Sequence, residues 1–196
     1  MRYNQLKNIY FFQVCKIKKC RCGVLKENNE VEVDRVADIC DKHPEEVTVL
    51  DSVLHSFGGN KFCNGSIVTF CLNEDNRILK ATLQQPGEGN VAVVDVTGHP
   101  CAVVGDTLAA FAIENQWAGI IINGFVRDSA ALKELPIAIW ALGTHPRRST
   151  KKHEGVLNGV ISNLASSEIR TGYYVYADED GIIVCQSKFT DIDFIA

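Results

Sequence analysis

Short apolar runs alternate with segments of helical spacing through the middle of the chain. The apolar runs are VAVVDV, CAVV, GIIIN and PIAIWAL, and the segments between them include GDTLAAFAIENQ and DSAALKEL. Nearly uninterrupted apolar runs of this length predict strands that are buried on both faces. In the first helical segment, Leu108, Ala109, Ala112 and Ile113 form one apolar stripe. Strands and helices in this order predict a parallel α/β sheet.

The flanking segments add helices before this core and strands after it. Val31–His43 has helical spacing and stops before Pro44. After the strand predicted for SIVTFCL, NEDNRILKATLQQPGEG predicts a second helix with Asn73 or Asp75 as its N-cap. HEGVLNGVISN and YYVYADEDGIIVCQ predict hairpin strands, with Asp180-Gly181 as the tightest turn. We therefore expect an α/β core sheet backed by a second, β-rich layer.

Charge is unevenly distributed along the 196 residues. Residues 1–26 carry seven Lys or Arg and no acid, which leaves thirteen bases and 24 acids for the remainder. We interpret residues 1–30 as a basic leader, either a disordered arm or the product of a start site placed too far upstream. Residues 31–196 are interpreted as one domain. The leader matches a mitochondrial presequence only in part, because it has no serine and only two arginines.

The expected location is cytoplasmic. The chain has no secretory signal and no run of roughly 20 apolar residues, so we expect no contact with a membrane. Its eight cysteines give no clear metal motif, because the C-x4-C-x-C spacing of Cys15, Cys20 and Cys22 lacks the paired C-x2-C of zinc knuckles. We interpret the others as buried, reduced thiols that pack as small hydrophobic residues: Cys40, Cys63, Cys71, Cys101 and Cys185.

Two strand-to-helix junctions could hold a ligand, because ligands of open α/β sheets collect outside the carboxyl ends of the strands. The first junction is VVGDTLAA. Gly105 lets the backbone approach a ligand, and the amides around Asp106, Thr107 and Leu108 would form an anion trap suited to a carboxylate. On this segment alone we favour a simpler interpretation, in which Asp106 caps a helix behind a turn glycine.

The second junction, NGFVRDSAAL, places an arginine beside an aspartate at a strand end. Arg127 offers a planar charged group that matches carboxylate or enolate oxygens. Asp128 could hold Mg²⁺, which usually keeps several waters and needs only one or two protein carboxylates. Both would suit a reaction that builds negative charge on a keto oxygen. The structural alternative, with Asp128 as a helix cap and Arg127 as a surface charge, stays open at this point.

A basic run follows the last strand of this core. Arg147, Arg148, Lys151 and Lys152 could steer anionic substrates or contact RNA. A run of this kind is more commonly a solvated loop, which is the interpretation that we favour. Direct nucleic-acid binding is not expected, because no RNA-binding signature with interleaved aromatic residues accompanies the run.

Other polar and aromatic residues have plain structural interpretations. His145 precedes a proline and is interpreted as a turn residue. The acidic triplet from Asp178 to Asp180 is interpreted as part of a hairpin turn rather than as a metal cluster. Trp117 and Trp140 stand in apolar contexts and are interpreted as core residues.

Three long segments resemble one protein family. They are PGEGNVAVVDVTG, GDTLAAFAIENQWAGIIINGFVRDSAALKELPIAIWALGTHPRRSTKKHEG and YYVYADEDGIIV. They are similar to the RraA-like family, which includes the regulators of ribonuclease E activity A and the class II 4-hydroxy-4-methyl-2-oxoglutarate aldolases. The resemblance runs from about Val31 to about Ser187. It implies an α/β fold, an α-β-β-α sandwich of the swivelling β/β/α type.

The resemblance also implies roles for the residues at both junctions. Gly105 to Leu108 stand where the family binds a pyruvyl group through backbone amides. Arg127 stands where the family contacts substrate, and Asp128 where it holds a divalent metal cation, commonly Mg²⁺ or Mn²⁺. Asp106 matches an aspartate that positions or activates a water for proton transfer. Homotrimers or dimers of trimers, with the site at a subunit boundary, are implied as well.

On this resemblance we expect a metal-dependent lyase for pyruvyl-type 2-oxo acids. It would be a 4-hydroxy-4-methyl-2-oxoglutarate aldolase, an oxaloacetate decarboxylase or both. Aldolase members often have a longer carboxyl-terminal segment that reaches a neighbouring subunit's site. Only SKFTDIDFIA follows Gln186 here, which favours decarboxylation.

Two other functions are alternatives to the lyase. One is a protein-binding regulator that docks on a ribonuclease E-type endoribonuclease and inhibits RNA processing, and family membership is its only support. The other is a menaquinone methyltransferase, which is disfavoured because no glycine-rich nucleotide loop follows an early strand.

Overall fold

The computed structural model describes residues 33–50, 53–98, 100–151 and 155–194, which belong to one compact unit. The predicted leader, with its three cysteines, lies outside the described residues. The helices are α1 (Val36–Lys42), α2 (Arg77–Leu83), α3 (Asp106–Glu114) and α4 (Ser129–Leu132). The strands are β1 (Thr48–Val49), β2 (His55–Ser56), β3 (Cys63–Asn73), β4 (Val91–Thr97), β5 (Ala102–Val104), β6 (Gly119–Val126), β7 (Ala138–Thr144), β8 (Val156–Leu157), β9 (Tyr174–Ala177) and β10 (Ile182–Cys185). Among these helices, none has the length and apolar character to span a bilayer.

One curled sheet contains all the strands of the described residues. Its order is β1-β10-β9-β3-β4-β6-β7-β2, with β5 beside β6 and β8 beside β3. The strands β3, β4, β6 and β7 are parallel neighbours, as the alternation of strands and helices predicts. The strands β1, β10 and β9 pair antiparallel. β3 joins these two halves, because its first residues pair with β9 and its later residues with β4.

Alternating side chains on each half of the sheet build three cores. On the parallel half, Val94 packs with the residues of α2, α3 and α4, whereas Val93 packs against the antiparallel half. On β10, Val184 packs towards the parallel half, and Ile183 packs with α1 and the last described residues. Successive residues of a strand point to opposite faces, so β4 and β10 each contribute side chains to two cores. The layers follow the order α-β-β-α, and the predicted fold class is confirmed.

Several predicted elements are confirmed, and others end or pair differently. The hairpin at Asp180-Gly181 is confirmed, since the Asp178 backbone N–H donates to the Gly181 carbonyl at 3.0 Å. Of the hairpin strands predicted for HEGVLNGVISN, β8 pairs with the distant strand β3 instead, whereas Ile161 forms a local antiparallel bridge with Ile169. α4 is only four residues long, and turns through Leu135 replace the rest of the predicted helix before Pro136.

The predicted N-cap residues are wrong by one or more positions. The N-cap of α2 is Asn76, although the Asp75 carboxylate accepts the Arg77 backbone N–H at 2.9 Å. The N-cap of α3 is Gly105, and Asp106 is the first helical residue. Capping side chains accept hydrogen bonds from amides two or three positions ahead. The Asp106 carboxylate instead accepts the N–H of the very next residue, Thr107.

The cysteines and tryptophans occupy structural positions, as predicted. Burial raises the pKa of Cys63 to about 12 and that of Cys185 to about 11, so neither thiol is ready to act as a nucleophile at neutral pH. Trp117 and Trp140 are buried. The described cysteines are all free thiols and are buried or half-buried: Cys40, Cys63, Cys71, Cys101 and Cys185.

Candidate active site

The two strand-to-helix junctions meet at one edge of the parallel half of the sheet. β5 and β6 are parallel neighbours, and Val104 pairs with Val126. The residues that follow, Gly105 and Arg127, therefore leave the sheet side by side. The Arg127 backbone N–H donates to the Val104 carbonyl at 3.0 Å. The predicted site residues of both junctions line a single cavity of about 170 Å³: Gly105, Asp106, Thr107, Leu108, Arg127 and Asp128.

Gly105 is where the two junctions come very close. A Cβ at this position would lie 2.5 Å from Asp128 Oδ2 and 3.2 Å from Arg127 Cγ. The Gly105 backbone is extended, with φ −145° and ψ −170°. The glycine is therefore required by space rather than by an unusual conformation. Without a side chain at this position, the amino end of α3 can lie against the Arg127–Asp128 pair.

The amino end of α3 has backbone donors that the helix itself does not use. The Ala109 N–H makes the first helical hydrogen bond, to the Gly105 carbonyl at 3.1 Å, so the N–H groups of residues 106–108 precede the helical ladder. The Asp106 carboxylate accepts the Thr107 backbone N–H at 2.6 Å and the Thr107 hydroxyl at 3.2 Å. A carboxylate is thus bound at this turn, as expected where the helix dipole favours negative charge.

Arg127 and Asp128 form a partly exposed ion pair at the cavity. Arg127 Nε lies 3.3 Å from Asp128 Oδ2, and the side chains are 42% and 39% exposed. Asp128 is the N-cap of α4, but its side chain makes no capping hydrogen bond. Its backbone is left-handed, with φ 56° and ψ 34°, a region that is unfavourable for residues other than glycine but is tolerated by Asp. Asp128 therefore occupies the N-cap position, as the structural alternative expects, but its carboxylate does not make the capping hydrogen bond.

The donors at the cavity suit a metal ion that keeps much of its water shell. Within the described ranges, no three His, Cys, Asp or Glu side chains are grouped so that they could hold a metal. The cavity is lined by two carboxylates, but that of Asp106 accepts hydrogen bonds from Thr107, whereas that of Asp128 lies beside an arginine. Mg²⁺ and Mn²⁺ can bind through one or two carboxylates when water and substrate oxygens complete the coordination. Asp128 is the residue that could hold such an ion here, whereas a closed zinc site would need more ligands.

Two residues of the basic run also line the cavity. Arg148 and Lys151 are exposed, as a solvated loop predicts, yet both lie at the cavity rim. Their loop runs beside β5, where Ala102 donates to the Arg147 carbonyl at 2.8 Å and accepts from the Ser149 N–H at 3.1 Å. The sequence offered one signal for this placement, the alternative in which the basic run steers anionic substrates. Lys152 of the same run lies outside the described residues.

The helix α2 and its N-cap residue supply further cavity residues that the sequence did not single out. Asn76 Nδ2 donates to the Val103 carbonyl at 2.7 Å and so holds β5 from the side of α2. Lys80, one turn further along, also lines the cavity. With Arg127, Arg148 and Lys151, it gives the cavity more cationic than acidic side chains, and such a lining attracts anions.

The remaining candidates lie elsewhere and have structural roles. His145 Nδ1 accepts a hydrogen bond from the Arg147 backbone N–H at 3.2 Å, which agrees with the interpretation of His145 as a turn residue. The Asp178 carboxylate accepts the backbone N–H groups of Val36 and Asp180, each at 2.9 Å. The acidic triplet is therefore a hairpin turn that also anchors α1.

Comparison with known proteins identifies the family of this chain. A family model described as RraA-like, Aldolase/RraA, matches residues 36–184, which include both junctions. The chain belongs to the RraA-like family. The resemblance inferred from the three long segments is therefore confirmed.

Relatives of this RraA-like protein have names that point to an aldolase. A protein of Aromatoleum aromaticum named "Putative 4-hydroxy-4-methyl-2-oxoglutarate aldolase" is 38% identical over 155 residues, which is 79% of this chain and 97% of the relative. A protein of Deinococcus radiodurans with the same name is 45% identical over 148 residues, or 75% of this chain and 91% of the relative.

Solved structures of the same fold have titles that describe other functions. The RNA-processing inhibitor RraA from Thermus thermophilis is 33% identical, with a TM-score of 0.77, over 83% of this chain and 99% of that one. A structure from Geobacillus kaustophilus, titled as an S-adenosylmethionine: 2-dimethylmenaquinone methyltransferase, is 36% identical with a TM-score of 0.75, over 80% of this chain and 97% of that one.

Adding a methyl group at Gly105 should alter the site and preserve the fold. In Gly105→Ala the new Cβ would lie 2.5 Å from Asp128 Oδ2, so the carboxylate must move away from α3. On the expectation from the family resemblance that the junctions bind a pyruvyl group with Mg²⁺, the affinity for pyruvate measured by calorimetry should fall about tenfold, as when groups that orient a site's ligands are displaced.

The matched control is Gly181→Ala, because a Cβ at Gly181 has no atom within 4 Å. Both variants should unfold within a few degrees of the parent. Unchanged pyruvate affinity in Gly105→Ala would contradict the close approach of the two junctions.

Proposed function

We propose that this protein is a lyase that depends on a divalent metal and cleaves pyruvyl-type 2-oxo acids next to C3. Decarboxylation of oxaloacetate is the favoured reaction, and aldol cleavage of 4-hydroxy-4-methyl-2-oxoglutarate is the related one. The proposal rests chiefly on the contact of Gly105 with the Arg127–Asp128 pair at the amino end of α3. Because of this contact, groups that bind a carboxylate and groups that stabilise an oxyanion share one cavity. The aldolase names of relatives that are 38% and 45% identical support the same class of reaction.

The first turn of α3 would bind the substrate's C1 carboxylate. Its N–H groups precede the helical ladder, and a carboxylate is a suitable ligand for them. The Asp106 carboxylate accepts the Thr107 N–H, so an incoming substrate carboxylate would compete with Asp106 for this donor. Substrate binding would thereby release Asp106 for proton transfer through a water.

Arg127 and Asp128 would act at the C2 carbonyl. Asp128 would hold Mg²⁺ or Mn²⁺, and the bound ion would supply Lewis-acid polarisation of that carbonyl. The Arg127 guanidinium would stabilise the negative charge that develops on the C2 oxygen, because its planar donors match an enolate oxygen. The half-exposed state of both side chains leaves room for substrate beside them.

Decarboxylation needs one bond cleavage and one protonation. The C3–C4 bond of oxaloacetate breaks, carbon dioxide leaves, and the electron pair delocalises from C3 onto the C2 oxygen as pyruvate enolate. A water held by Asp106 then gives a proton to C3, which completes pyruvate. Aldol cleavage needs, in addition, removal of the C4 hydroxyl proton before the bond breaks. Decarboxylation therefore demands less of the residues at this cavity.

Removal of the Asp128 carboxylate tests the lyase directly. We expect Asp128→Ala to lose about 100-fold or more of the oxaloacetate decarboxylase activity, because the charge on the C2 oxygen loses its main stabilisation. EDTA should abolish the parent's activity, and Mg²⁺ or Mn²⁺ should restore it. Turnover is measured by following pyruvate release.

Asp180→Ala is the control, since Asp180 is exposed in the hairpin turn away from the cavity. It should retain the parent's rate. An Asp128→Ala protein as active as the parent would refute the assignment of this site.

The cationic rim should act on the substrate's second carboxylate. Lys151→Gln removes one charge from the cavity lining, and we expect KM for oxaloacetate to rise about fivefold with kcat nearly unchanged, as for a partly exposed ion pair. Lys188→Gln changes an exposed lysine outside that lining and serves as the matched control. Equal KM values for the two variants would exclude Lys151 from substrate binding.

A second function, inhibition of a ribonuclease E-type endoribonuclease through direct binding, is supported by the 33% identity to the RNA-processing inhibitor RraA. If this protein is such a regulator, the parent and the Asp128→Ala variant should inhibit RNA cleavage by that enzyme equally well, because docking does not need the metal site. Inhibition without any oxaloacetate turnover would establish the regulator in place of the lyase.

The homotrimer or dimer of trimers stays a prediction that light scattering can measure.

A further inference from the structure

The last described residues fold back over α1 at the face opposite the parallel sheet. We call residues 186–194 the C-terminal segment. The Asp34 N–H donates to the Asp193 carbonyl at 3.0 Å, and the Asp193 N–H donates to Asp34 Oδ2 at 2.9 Å. The Phe189 N–H donates to the Tyr176 hydroxyl at 3.1 Å. Phe189 and Ile192 are only 9% exposed, so the segment is a docked part of the third core.

His43 lies between α1 and this segment and contacts three of its neighbours at once. Its ring stacks on the Phe189 ring, with centroids 3.9 Å apart and an interplanar angle of 8°. His43 Nδ1 lies 3.0 Å from Glu46 Oε1, and Nε2 lies 3.2 Å from Asp191 Oδ2. The His43 side chain is 15% exposed, whereas the two acids are 66% and 61% exposed.

Both ring nitrogens of His43 therefore face carboxylate oxygens. A carboxylate can only accept hydrogen bonds, and neutral imidazole has a proton on just one nitrogen. If His43 were neutral, its unprotonated ring nitrogen would present a lone pair to one of the two carboxylates, and the hydrogen bond to that carboxylate would be lost. Only the imidazolium can donate to Glu46 and Asp191 together, so the arrangement is that of a protonated histidine.

We propose that His43 is a pH-dependent clasp that fastens the C-terminal segment to α1 while its ring is protonated and loosens the segment when the ring loses its proton. The contact that fastens or releases the segment is the one between His43 and Asp191, because Asp191 belongs to the C-terminal segment. Glu46 belongs to the loop after α1 and stays close to His43 in sequence.

The direction of the pH effect follows from the charges around the ring. The hydrogen bond to Glu46 is the largest cause that raises the pKa of His43 above its ordinary 6.5; partial burial opposes it, and Asp191 adds to the rise. A histidine with a raised pKa contributes its full stabilisation below about pH 6.5 and loses it as the pH rises through the raised value. The clasp is closed in mildly acidic solution and opens towards alkaline pH.

The pKa values of Asp34, Lys42 and Tyr176 are shifted away from that range. Lys42 pairs with Asp34 at 2.5 Å, and this pair raises the pKa of Lys42 and lowers that of Asp34. Burial raises the pKa of Tyr176 to about 12. Charged and titratable groups stand on every element around His43: Asp34, Arg35, Asp38, Cys40, Asp41 and Lys42 on and before α1, Glu45 and Glu46 after it, Tyr174, Tyr176, Asp178 and Cys185 on β9, β10 and their turn, and Lys188, Asp191 and Asp193 on the C-terminal segment.

Opening of the clasp would also change a cleft of about 580 Å³. Glu46, Ser187 and Phe189 line that cleft, and the first and last of these contact His43 directly. The pH would therefore set how firmly one wall of the cleft is held. This consequence is independent of the lyase proposed for the other end of the sheet.

Amide hydrogen exchange followed by NMR at pH 6 and pH 8 tests the clasp on the whole protein. Protection factors, corrected for intrinsic exchange, are compared for the Phe189 and Asp193 amides, with the core amide of Val93 as the internal reference. We expect these two amides to be about two- to fivefold better protected at pH 6 in the parent, the range of partly exposed ion pairs. His43→Gln should abolish the difference, and His55→Gln, an exposed histidine on β2, should retain it.

Asp191→Asn supplies a second readout that does not depend on loss of the ring. This variant keeps His43 and removes the negative charge of the Asp191 carboxylate, which raises the pKa of His43 in the parent. The His43 resonance should therefore titrate at a lower pH than in the parent. A parent whose segment protection does not change between pH 6 and pH 8, or a change that persists in His43→Gln, would overturn the proposal. Equal Val93 protection in all variants shows that the fold is intact.

Discussion

The parallel pairing of β5 with β6 is the constraint on which the candidate site depends. β5 has only three residues, Ala102–Val104, all of them buried, and its pairing with β6 places Gly105 beside Arg127. A slip by one residue would turn every β5 side chain to the opposite face and move α3 along the edge. The Asn76 side chain on one side and the backbone of Arg147 and Ser149 on the other hold this short strand in place. The site therefore depends on backbone contacts more than on its own side chains.

The layered fold explains why the polar groups collect at strand ends. Both faces of the parallel half are covered, one by helices and one by the antiparallel half, so a charged side chain in the middle of these strands would need a buried partner. Asp95 is such a case, held by the amides of Asn123 and Asn163 at 2.7 and 3.3 Å. Residues that follow the last paired position of a strand can reach solvent and need no buried partner for a charge. Arg127 and Asp128 follow Val126, the last paired residue of β6.

The sequence predicts the parts of this molecule that follow from local pattern. The alternation of apolar runs and helical segments predicts the parallel half, and the rule that parallel strand ends share an edge brings Gly105 and Asp128 to one place. The pairing of β8 with β3 was missed, because an edge strand takes whichever partner the fold leaves open. Asn76 and Lys80 were missed as site residues for a related reason. They reach the cavity from α2 and its N-cap, outside both junctions, and nothing local to that helix indicates the contact.

The two carboxylates of the site are held in different ways, and the difference fits separate tasks. Asp128 stands on a left-handed backbone, makes no capping bond and lies beside a permanently charged arginine. A strained residue of this kind persists only where its surroundings fix it, and a fixed carboxylate suits the holding of an ion. Within the part of the chain that the structure describes, the Asp106 side chain hydrogen-bonds to its neighbour Thr107 alone. Since a ligand carboxylate can take over those same donors, Asp106 is the group of the two that can change partners, as the proton transfer proposed for it requires.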